Sequence, residues 1–571
     1  MAQIEPPLTD LEIHTHDGGF YNGFATRVAI PAKVAISVLI LWAIVDPDSA
    51  GTVLTGINGF ILQNFATWYI YVMGGFVLTC LLLAVWPGSG SMRLGKDTDR
   101  PEFDNFSWFS MMFGAGIGVG MLTWAVAEPI YHFQNNPRVI AGLTAAASED
   151  NVLSAYTYSF LHWGFSAWSS YAIIGLALAF FTYRRGLPLT IRSSLTPLFG
   201  DRLSGWLGHM IDIFAVVATI LGVAQTLGFG VNQFVAGMSR IGVGDWLIDA
   251  DGSPSTVGIV VALAIIMGAS TLSALSGVGK GIKWLSNLNM GLSIFLLGYL
   301  FLFGATLFGA WVLFAGMWDY IISLPGLLFS VERGDGIENS VPEQLAGWQG
   351  AWTVFYWAWW VAFAPFVGLF LARISKGRTI REFVLGALIV PAIMCFVWFA
   401  FAGGTAISLE LDGTAGGAIF AASDGDKIFA MTNILLGNPI LSWGMALIIV
   451  ILLMTYLVTS ADSAVLIVNT INAAGDEGPK SRPHIIFWGA ALALVVGALL
   501  IAGDISAIQT AMVIGALPFS VVMVLMAIAL VKAIWMDGRR ERAGVPTTIP
   551  EAAEANAAAA AAGPKGGIPA Q

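Results

Sequence analysis

Long apolar segments separated by short polar connections recur along the whole chain. Most contain about 20 residues, the length at which an α-helix crosses about 30 Å of hydrocarbon. The pattern predicts twelve membrane-spanning helices, near residues 29–47, 64–86, 106–127, 152–182, 206–236, 256–275, 285–314, 350–372, 382–402, 440–468, 485–503 and 507–535. We therefore expect an all-α polytopic membrane protein.

The composition supports this fold class. Of 571 residues, 57% are hydrophobic and only 11% are charged, whereas a soluble protein carries about 25% charged residues. The net charge of −10 argues against nucleic acid as a partner, because phosphate binding needs a basic surface. Cys80 and Cys395 both fall in apolar segments, so the sequence predicts no disulfide framework.

The basic residues predict the orientation. With a cytoplasmic N-terminus, all 26 Lys and Arg residues fall on the inner side or at the two ends, except Arg138, Arg240, Arg333 and Lys427. This asymmetry agrees with the positive-inside rule. We expect a multi-pass protein of the inner (plasma) membrane with both termini in the cytoplasm. The acidic first 28 residues are unlike a secretory signal, so the first span is expected to direct insertion.

Three segments follow from this topology. Residues 1–28 are predicted to form a cytoplasmic N-terminal segment, 29–535 the membrane domain, and 536–571 an Ala-, Gly- and Pro-rich tail that is expected to be disordered. The outer loops 315–349 and 403–438 are acidic. The simplest interpretation is a solvated loop, and the alternative is a mild enrichment of cations near an outer opening.

Few charged residues lie at membrane depth, where they usually mark function. Asp212, Asp462 and Glu128 are the main candidates. The six histidines show no metal-ligand spacing, and neither a nucleophile–base pair nor a phosphate-binding loop is evident. We therefore expect neither an enzyme nor a cofactor.

Four glycines stand within seven residues of the third span, from Gly114 to Gly120. Each glycine inside a helix costs about 1 kcal/mol relative to alanine. One interpretation is an unwound stretch whose carbonyl groups face a cavity. The alternative is close helix packing by small residues.

A tryptophan-rich segment, WTVFYWAWW, occupies Trp352 to Trp360 in the eighth span. An interfacial belt would explain Trp352, but the later tryptophans lie too deep in the span. Pro365 and Gly368 follow, so we expect this helix to break as well. Buried indole faces attract a quaternary ammonium ion by about 2 kcal/mol or more once it is desolvated.

The fourth span offers a second aromatic group. On one continuous helix, Trp163, Trp168 and Tyr171 would lie within about 140° of arc. They are therefore expected to line a single cavity, and the alternative is that they are ordinary core aromatics.

Together these segments resemble the betaine/carnitine/choline transporter family. The segment from Trp352 to Trp360 is similar to the family's signature, although Ala351 departs from the small polar residue or glycine that usually precedes it. The glycine segment, followed by Glu128 and Pro129, resembles the family's glycine stretch, with Ile117 in place of Met. The resemblance covers essentially the whole membrane portion.

The resemblance implies a LeuT-like core of two inverted five-helix repeats, spans 3–7 (about 106–314) and 8–12 (about 350–535), preceded by two additional helices. It also implies a homotrimer. The substrate site carried over from the motifs comprises Trp163, Trp168, Tyr171, Trp357, Trp359, Trp360, Phe363, Ala115 and Ile117. Phe363 stands where a further tryptophan is often found.

Sodium-coupled relatives imply ion sites as well. By position, the ligands would come from Gly114, Ile117, Tyr456, Thr459 and Ser460, with a second site near Thr219 and Phe366. Such an oxygen-only ligand set suits a hard cation. The alternative for Thr459 and Ser460 is hydrogen bonding to their own helix. Val223 replaces a hydroxyl that is often found in the second site.

The resemblance also bears on the substrate. Some choline-selective, proton-coupled relatives have Asp at the position of Gly120, so a carboxylate is missing from this stretch. A zwitterion such as glycine betaine or dimethylsulfoniopropionate is therefore favoured over choline. The sequence predicts sodium-coupled symport, with sodium as the coupling ion. A proton-coupled choline or carnitine transporter, a substrate exchanger and a non-transporting osmolyte receptor remain alternatives.

Overall fold

Helices make up the regular structure of this protein. The structure is a computed structural model, and it describes residues 6–116, 118–250, 252–276 and 283–549. Within these ranges β-structure is limited to three isolated bridges. The main helices are α1 (Thr26–Val45), α2 (Pro47–Val85), α3 (Asn105–Gly116), α4 (Val119–Gln134), α5 (Val152–Trp163), α6 (Phe165–Ala179), α7 (Trp206–Arg240), α8 (Thr256–Ser276), α9 (Lys283–Phe303), α10 (Thr306–Leu327), α11 (Val341–Gln349), α12 (Phe355–Arg373), α13 (Ile380–Leu411), α14 (Lys427–Leu436), α15 (Pro439–Asn472) and α16 (Arg482–Arg542).

Shorter elements connect these helices. Single α-helical turns lie at Pro137–Ile140, Thr196–Phe199 and Ala418–Ala421, and 3₁₀ turns lie at Pro87–Gly90, Glu149–Asn151, Arg192–Leu195, Gly200–Ser204 and Asp245–Leu247. Two π-helical turns, Phe180–Arg184 and Gly350–Val354, extend α6 and precede α12. Turns of this kind are often found at functional positions.

By length and hydropathy, eleven helices within the described ranges are able to cross a membrane. The predicted third span is not among them because α3 and α4 are each short. The predicted last two spans are merged in α16, whose backbone is non-helical at Gly503 and Asp504. The polytopic all-α fold class is thus confirmed, whereas the count of twelve and the inverted repeats stay predictions.

Several predicted boundaries were wrong. Helix α2 begins at Pro47, far earlier than the predicted residue 64, and the predicted seventh span is divided between α9 and α10. The supposed loop at 315–349 is largely helical. Hydropathy alone misplaces such ends because membrane helices continue beyond their apolar cores.

The C-terminal boundary also lies later than predicted. Helix α16 continues to Arg542, and the chain after it returns to the C-terminal end of α6, where Thr547 Oγ1 accepts a hydrogen bond from Arg184 at 2.9 Å. Most of the predicted disordered tail, residues 550–571, lies outside the described residues.

The core of the molecule is formed by α6, α7, α12 and α16, in which α12 and α16 pack against each other and against both α6 and α7. Two glycines bring α6 and α12 together: a Cβ atom on Gly368 would lie 2.5 Å from Cγ2 of Ile174, and one on Gly175 would lie 3.0 Å from Cβ of Leu371. Small residues at such positions let helices approach closely. The aromatic residues of α5, α6 and α12 are thereby brought to one region.

Candidate functional site

The helix is interrupted within the glycine segment, as predicted. Helix α3 ends at Gly116 and α4 begins at Val119, with non-helical backbone angles at Gly118 (φ −131°, ψ −130°). A Cβ atom on Gly118 would lie 3.7 Å from Oγ of Ser460, so α15 faces this interruption. Ile117 lies outside the described residues. The roles assigned to Gly114, Ala115 and Ile117 remain predictions.

Gly120, in contrast, agrees with the alternative interpretation of the glycines, which is close packing by small residues. A Cβ atom at this position would lie 3.2 Å from Cη2 of Trp163 and 3.4 Å from Cη2 of Trp359. The absence of a side chain at position 120 therefore lets both indole rings approach α4. An acidic side chain there would project directly at these two rings.

The fourth span does not have the single continuous helix on which its aromatic face was predicted. Helix α5 ends at Trp163 and α6 begins at Phe165, with Gly164 in a non-helical conformation (φ −92°, ψ −136°). Tyr320 Oη lies within the space that a Cβ atom on Gly164 would need, and it accepts a hydrogen bond from the amide of Phe165 at 3.0 Å. Trp163 therefore does not share one continuous helix with Trp168 and Tyr171, contrary to the prediction, because contacts from another helix stabilise the break at Gly164.

Tertiary packing nevertheless brings the predicted aromatic residues together. The ring centroids of Trp163 and Trp360 are 5.0 Å apart, and those of Tyr171 and Trp360 are 6.2 Å apart, both edge to face. Trp359 stacks on Trp360 at 4.9 Å, and Trp168 contacts Tyr171 at 5.4 Å. All five side chains are buried. We call these five residues the aromatic box.

Two further predicted residues lie beside the aromatic box. The ring of Phe363 is 6.4 Å from that of Tyr171. Trp357 instead has its ring 5.8 Å from that of His162. Among the ring contacts of the described residues, Trp357 meets His162 and none of the five rings of the aromatic box.

Helix α12 shows no interruption at Pro365 or Gly368, contrary to the prediction. It is continuous from Phe355 to Arg373. Proline removes one backbone hydrogen bond, and the close packing of Gly368 against Ile174 holds the helix in place. The irregular backbone lies earlier, in the π-helical turn Gly350–Val354.

A buried carboxylate adjoins the aromatic box. Oε2 of Glu128 accepts hydrogen bonds from Nε1 of Trp163 and Oη of Tyr356, each at 2.5 Å. Oε1 lies 2.7 Å from Nδ1 of His162 and 3.2 Å from Nε2 of His132. The histidines therefore do converge, contrary to the prediction. Only the four-residue spacing between Glu128 and His132 could have revealed it from sequence.

Glu128, His132 and His162 also form a group that could hold a metal ion, since their ligand atoms lie within 4.8 Å of one another. Both carboxylate oxygens already accept hydrogen bonds from ring or hydroxyl donors. The geometry therefore fits a hydrogen-bonded carboxylate better than a metal centre.

Two residues among the predicted sodium ligands of α15, Tyr456 and Ser460, lie next to the interruption at Gly118. Oγ1 of Thr459 donates to the carbonyls of Thr455 and Tyr456, at 3.0 and 3.1 Å, as the back-bonding alternative expects. It also accepts from Nδ2 of Asn289 at 3.1 Å. A hydroxyl oxygen has two lone pairs, so one remains for an ion.

The residues of the predicted second ion site lie on α7 and α12, which pack together. Oγ1 of Thr219 is buried and donates to the carbonyl of Ala215 at 2.7 Å. The ring of Phe366 contacts that of Phe363 at 5.0 Å. The ion-binding role of both residues remains a prediction.

The two aspartates noted at membrane depth have different partners. Asp212 forms an ion pair with Arg192 at 2.6 Å, and both side chains are buried. Such a pair is self-contained and points to a structural role. Asp462 accepts a hydrogen bond from Oγ of Ser273 at 2.6 Å.

A cavity of about 280 Å³ lies towards the predicted outer side. It is lined by residues of α4, α7, α16 and the predicted outer loops, including Thr123, Phe229, Asn232, Asp424 and Asp504. The ring of Phe229 lies 5.5 Å from that of Trp359, so this ring separates the cavity from the aromatic box. Its two carboxylates are Asp424, in the predicted outer loop 403–438, and Asp504, in the non-helical part of α16.

Comparison with known proteins identifies relatives of similar length. The chain is 36% identical to a probable glycine betaine transporter of Desulfitobacterium hafniense, over 90% of this chain and 98% of that one. It is 35% identical to the glycine betaine transporter OpuD of Bacillus subtilis, over 88% and 92% of the two chains. It is 36% identical to the osmo-independent choline transporter BetT1 of Acinetobacter baylyi, also over 88% and 92%.

A family profile described as "BCCT, betaine/carnitine/choline family transporter" matches residues 27–539. This range includes the glycine segment, the aromatic box and Glu128. The chain therefore belongs to the betaine/carnitine/choline transporter family.

Proposed function

We propose that this protein is a sodium-coupled symporter of glycine betaine or a similar onium zwitterion such as dimethylsulfoniopropionate. The observation that carries the proposal is the aromatic box, in which Trp163, Tyr171 and Trp360 meet between α5, α6 and α12. Aromatic faces in a buried site attract quaternary ammonium groups. Two of the relatives named above are described as glycine betaine transporters.

The coupling ion in this proposal is sodium. Oγ of Ser460 faces the helix interruption at Gly118, and Thr459 and the Tyr456 carbonyl lie on the same helix α15. Discontinuous helices with free carbonyl groups are where transporters bind such ions. We further propose an inner-membrane homotrimer with cytoplasmic termini, in keeping with the distribution of Lys and Arg.

Choline is the second candidate substrate. It is favoured by the buried carboxylate of Glu128 beside Trp163, since a negative charge near the box offsets a bare cation. A relative of 36% identity is described as a choline transporter.

Uptake by purified protein in liposomes tests these proposals. Labelled glycine betaine is offered with an inward sodium chloride gradient or an equal choline-free potassium chloride gradient, and unlabelled choline, carnitine and dimethylsulfoniopropionate compete. We expect concentrative uptake only with sodium. Uptake that ignores sodium would reject the ion assignment and lead to proton gradients and preloaded exchange, whereas binding without any uptake would favour a receptor.

A further inference from the structure

Glu128 is a fully buried carboxylate whose hydrogen bonds join three parts of the site. It lies on α4, and its partners are Trp163 at the end of α5, Tyr356 on α12, and the two histidines His132 and His162. Within the described residues no Lys or Arg pairs with it. The carboxylate is therefore held by polar groups rather than by a fixed positive charge.

The hydrogen-bond pattern is that of an ionised carboxylate. The indole N–H of Trp163 is a donor only, and Tyr356 donates to the same oxygen. Nε2 of His162 lies 3.1 Å from Oγ1 of Thr353. We assign Thr353 as the donor to Nε2 of His162. The neutral His162 ring then carries its proton on Nδ1 and donates it in a hydrogen bond to Glu128. An acceptor-only carboxylate satisfies all of these donors.

The indole of Trp163 connects this charge with the aromatic box. Its ring packs edge to face on Trp360 at 5.0 Å, while its N–H points to Glu128 at 2.5 Å. A carboxylate that accepts a hydrogen bond from the indole N–H increases the electron density of the ring. In a site of low dielectric constant, its own charge also acts over several ångströms with little screening. Both effects strengthen the attraction between the ring and a cation.

We propose that Glu128 is a specificity-determining residue that supplies the aromatic box with its negative charge through Trp163. This inference rests on the proposed function, because it concerns the onium group that the box would bind. The carboxylate would act without touching the substrate. Its negative charge would replace the charge that an acidic side chain at position 120 would supply. Such a side chain would approach the Trp163 ring at Cη2, whereas Glu128 contacts the same ring at Nε1.

This role has a consequence for the substrate. The lack of a carboxylate in the glycine stretch was the reason to favour zwitterions over choline. With Glu128 hydrogen-bonded to Trp163, the box does not lack a negative charge, so a bare onium cation is also expected to bind. The effect of losing Glu128 should be larger for choline than for glycine betaine, because glycine betaine carries its own carboxylate.

The test compares an onium zwitterion with an isostere that has the same carboxylate but lacks the positive charge. Tert-butylacetate has the shape of glycine betaine with a neutral quaternary carbon in place of the nitrogen. Binding of both ligands to purified full-length protein is measured by calorimetry for wild type and Glu128→Gln. We expect the variant to lose affinity for glycine betaine about tenfold, or about 1.4 kcal/mol, while its affinity for tert-butylacetate changes less than about twofold.

Asp319→Asn is the matched control, because Asp319 accepts a hydrogen bond from Thr157 on the same helix α5 but lies away from the box. It should bind both ligands as wild type does. An equal loss of both ligands in Glu128→Gln would show a merely structural role and overturn the proposal, as would unchanged binding of both. If wild type binds no onium compound at all, the proposed function fails first.

A second variant covers the case in which Glu128→Gln does not fold. Replacing Trp163 by benzothienylalanine keeps the size of the ring but removes the N–H donor to Glu128. The same selective loss of glycine betaine is expected. Retained discrimination between glycine betaine and tert-butylacetate would contradict the transmission of charge through this bond.

Discussion

The third and eighth spans, which open the two proposed repeats, differ in the continuity of their helices. The third is interrupted between Gly116 and Val119, whereas α12 is continuous from Phe355 to Arg373 although it contains Pro365 and Gly368. Both had been predicted to break. The difference shows that residues of low helix propensity allow an interruption but do not require one.

The neighbours of each helix account for the difference. Gly118 faces the ring of Tyr456 and the hydroxyl of Ser460 on α15, and that hydroxyl offers a polar group to an unwound backbone. Gly368 faces Ile174 and the backbone of Gly175, which fill all the space beside α12. Proline within a membrane helix is tolerated where neighbouring helices support it. The interrupted span thus lies next to Ser460, a candidate ion ligand, and the continuous helix α12 contains the stacked rings of Trp359 and Trp360.

The largest effect is expected at the ring stack of α12. Trp360→Ala removes the ring that contacts Trp163, Tyr171 and Trp359, and should weaken glycine betaine binding about 100-fold, or about 2.7 kcal/mol. Calorimetric titration measures the affinity. Trp398→Ala, an equal truncation at a buried tryptophan of α13, should leave affinity unchanged. Equal losses in both variants would remove Trp360 from the site.

Overpacking of the α6–α12 contact should have the next largest effect, on stability. Gly368→Val places methyl groups against Ile174 and should cost about 1–3 kcal/mol of folding free energy. A thermal melt in detergent measures the loss. Gly298→Val is the control, because a side chain at that position of α9 meets open space. A melt unchanged by Gly368→Val would show that α12 has room to bend.

A smaller effect is expected at the interrupted span. Ser460→Ala and Thr459→Val should each raise the sodium concentration for half-maximal uptake about tenfold, because each would remove one oxygen of the proposed ion site. Thr455→Val lies one turn earlier on α15, where the hydroxyl donates to its own helix, and should keep the wild-type sodium dependence. The same sodium dependence in all three variants would argue against an ion site at this interruption.

The smallest effect is expected from Pro365→Ala. Because α12 is already continuous through this residue, the substitution restores one backbone hydrogen bond and should change uptake less than about twofold. Initial rates in liposomes measure it. A strong loss of transport with normal substrate binding would mean that α12 bends at Pro365 during the transport cycle, and the contrast between the two spans would then hold for one state only.

Much of the architecture could be predicted from sequence because it depends on local composition. Apolar length predicted the membrane helices, and the density of glycine marked the region near Gly118 as one of two things, an interruption or a close helix contact. The spacing of the tryptophans in α12 placed Trp359 and Trp360 deep in a helix, where the structure has them buried. These features follow from hydration and backbone propensity alone.

The break at Gly164 and the hydrogen bonds of Glu128 could not be predicted in this way. The break depends on Tyr320, which lies 155 residues beyond its partner Phe165. The bond from Tyr356 to Glu128 joins residues 228 positions apart. The residues near Tyr320 and Tyr356 in the sequence show no spacing that would identify either tyrosine as the partner.

The sequence by itself determined that this chain is a helical membrane protein with one weakened span and one aromatic span, because each property is carried by consecutive residues. Only the tertiary structure decided which weakened helix breaks and which rings meet. It alone decided that Trp163 donates a hydrogen bond to a buried carboxylate. The physical reason is that breaks, stacks and buried charges are stabilised by contacts across helices, and those contacts exist only once the helices have packed.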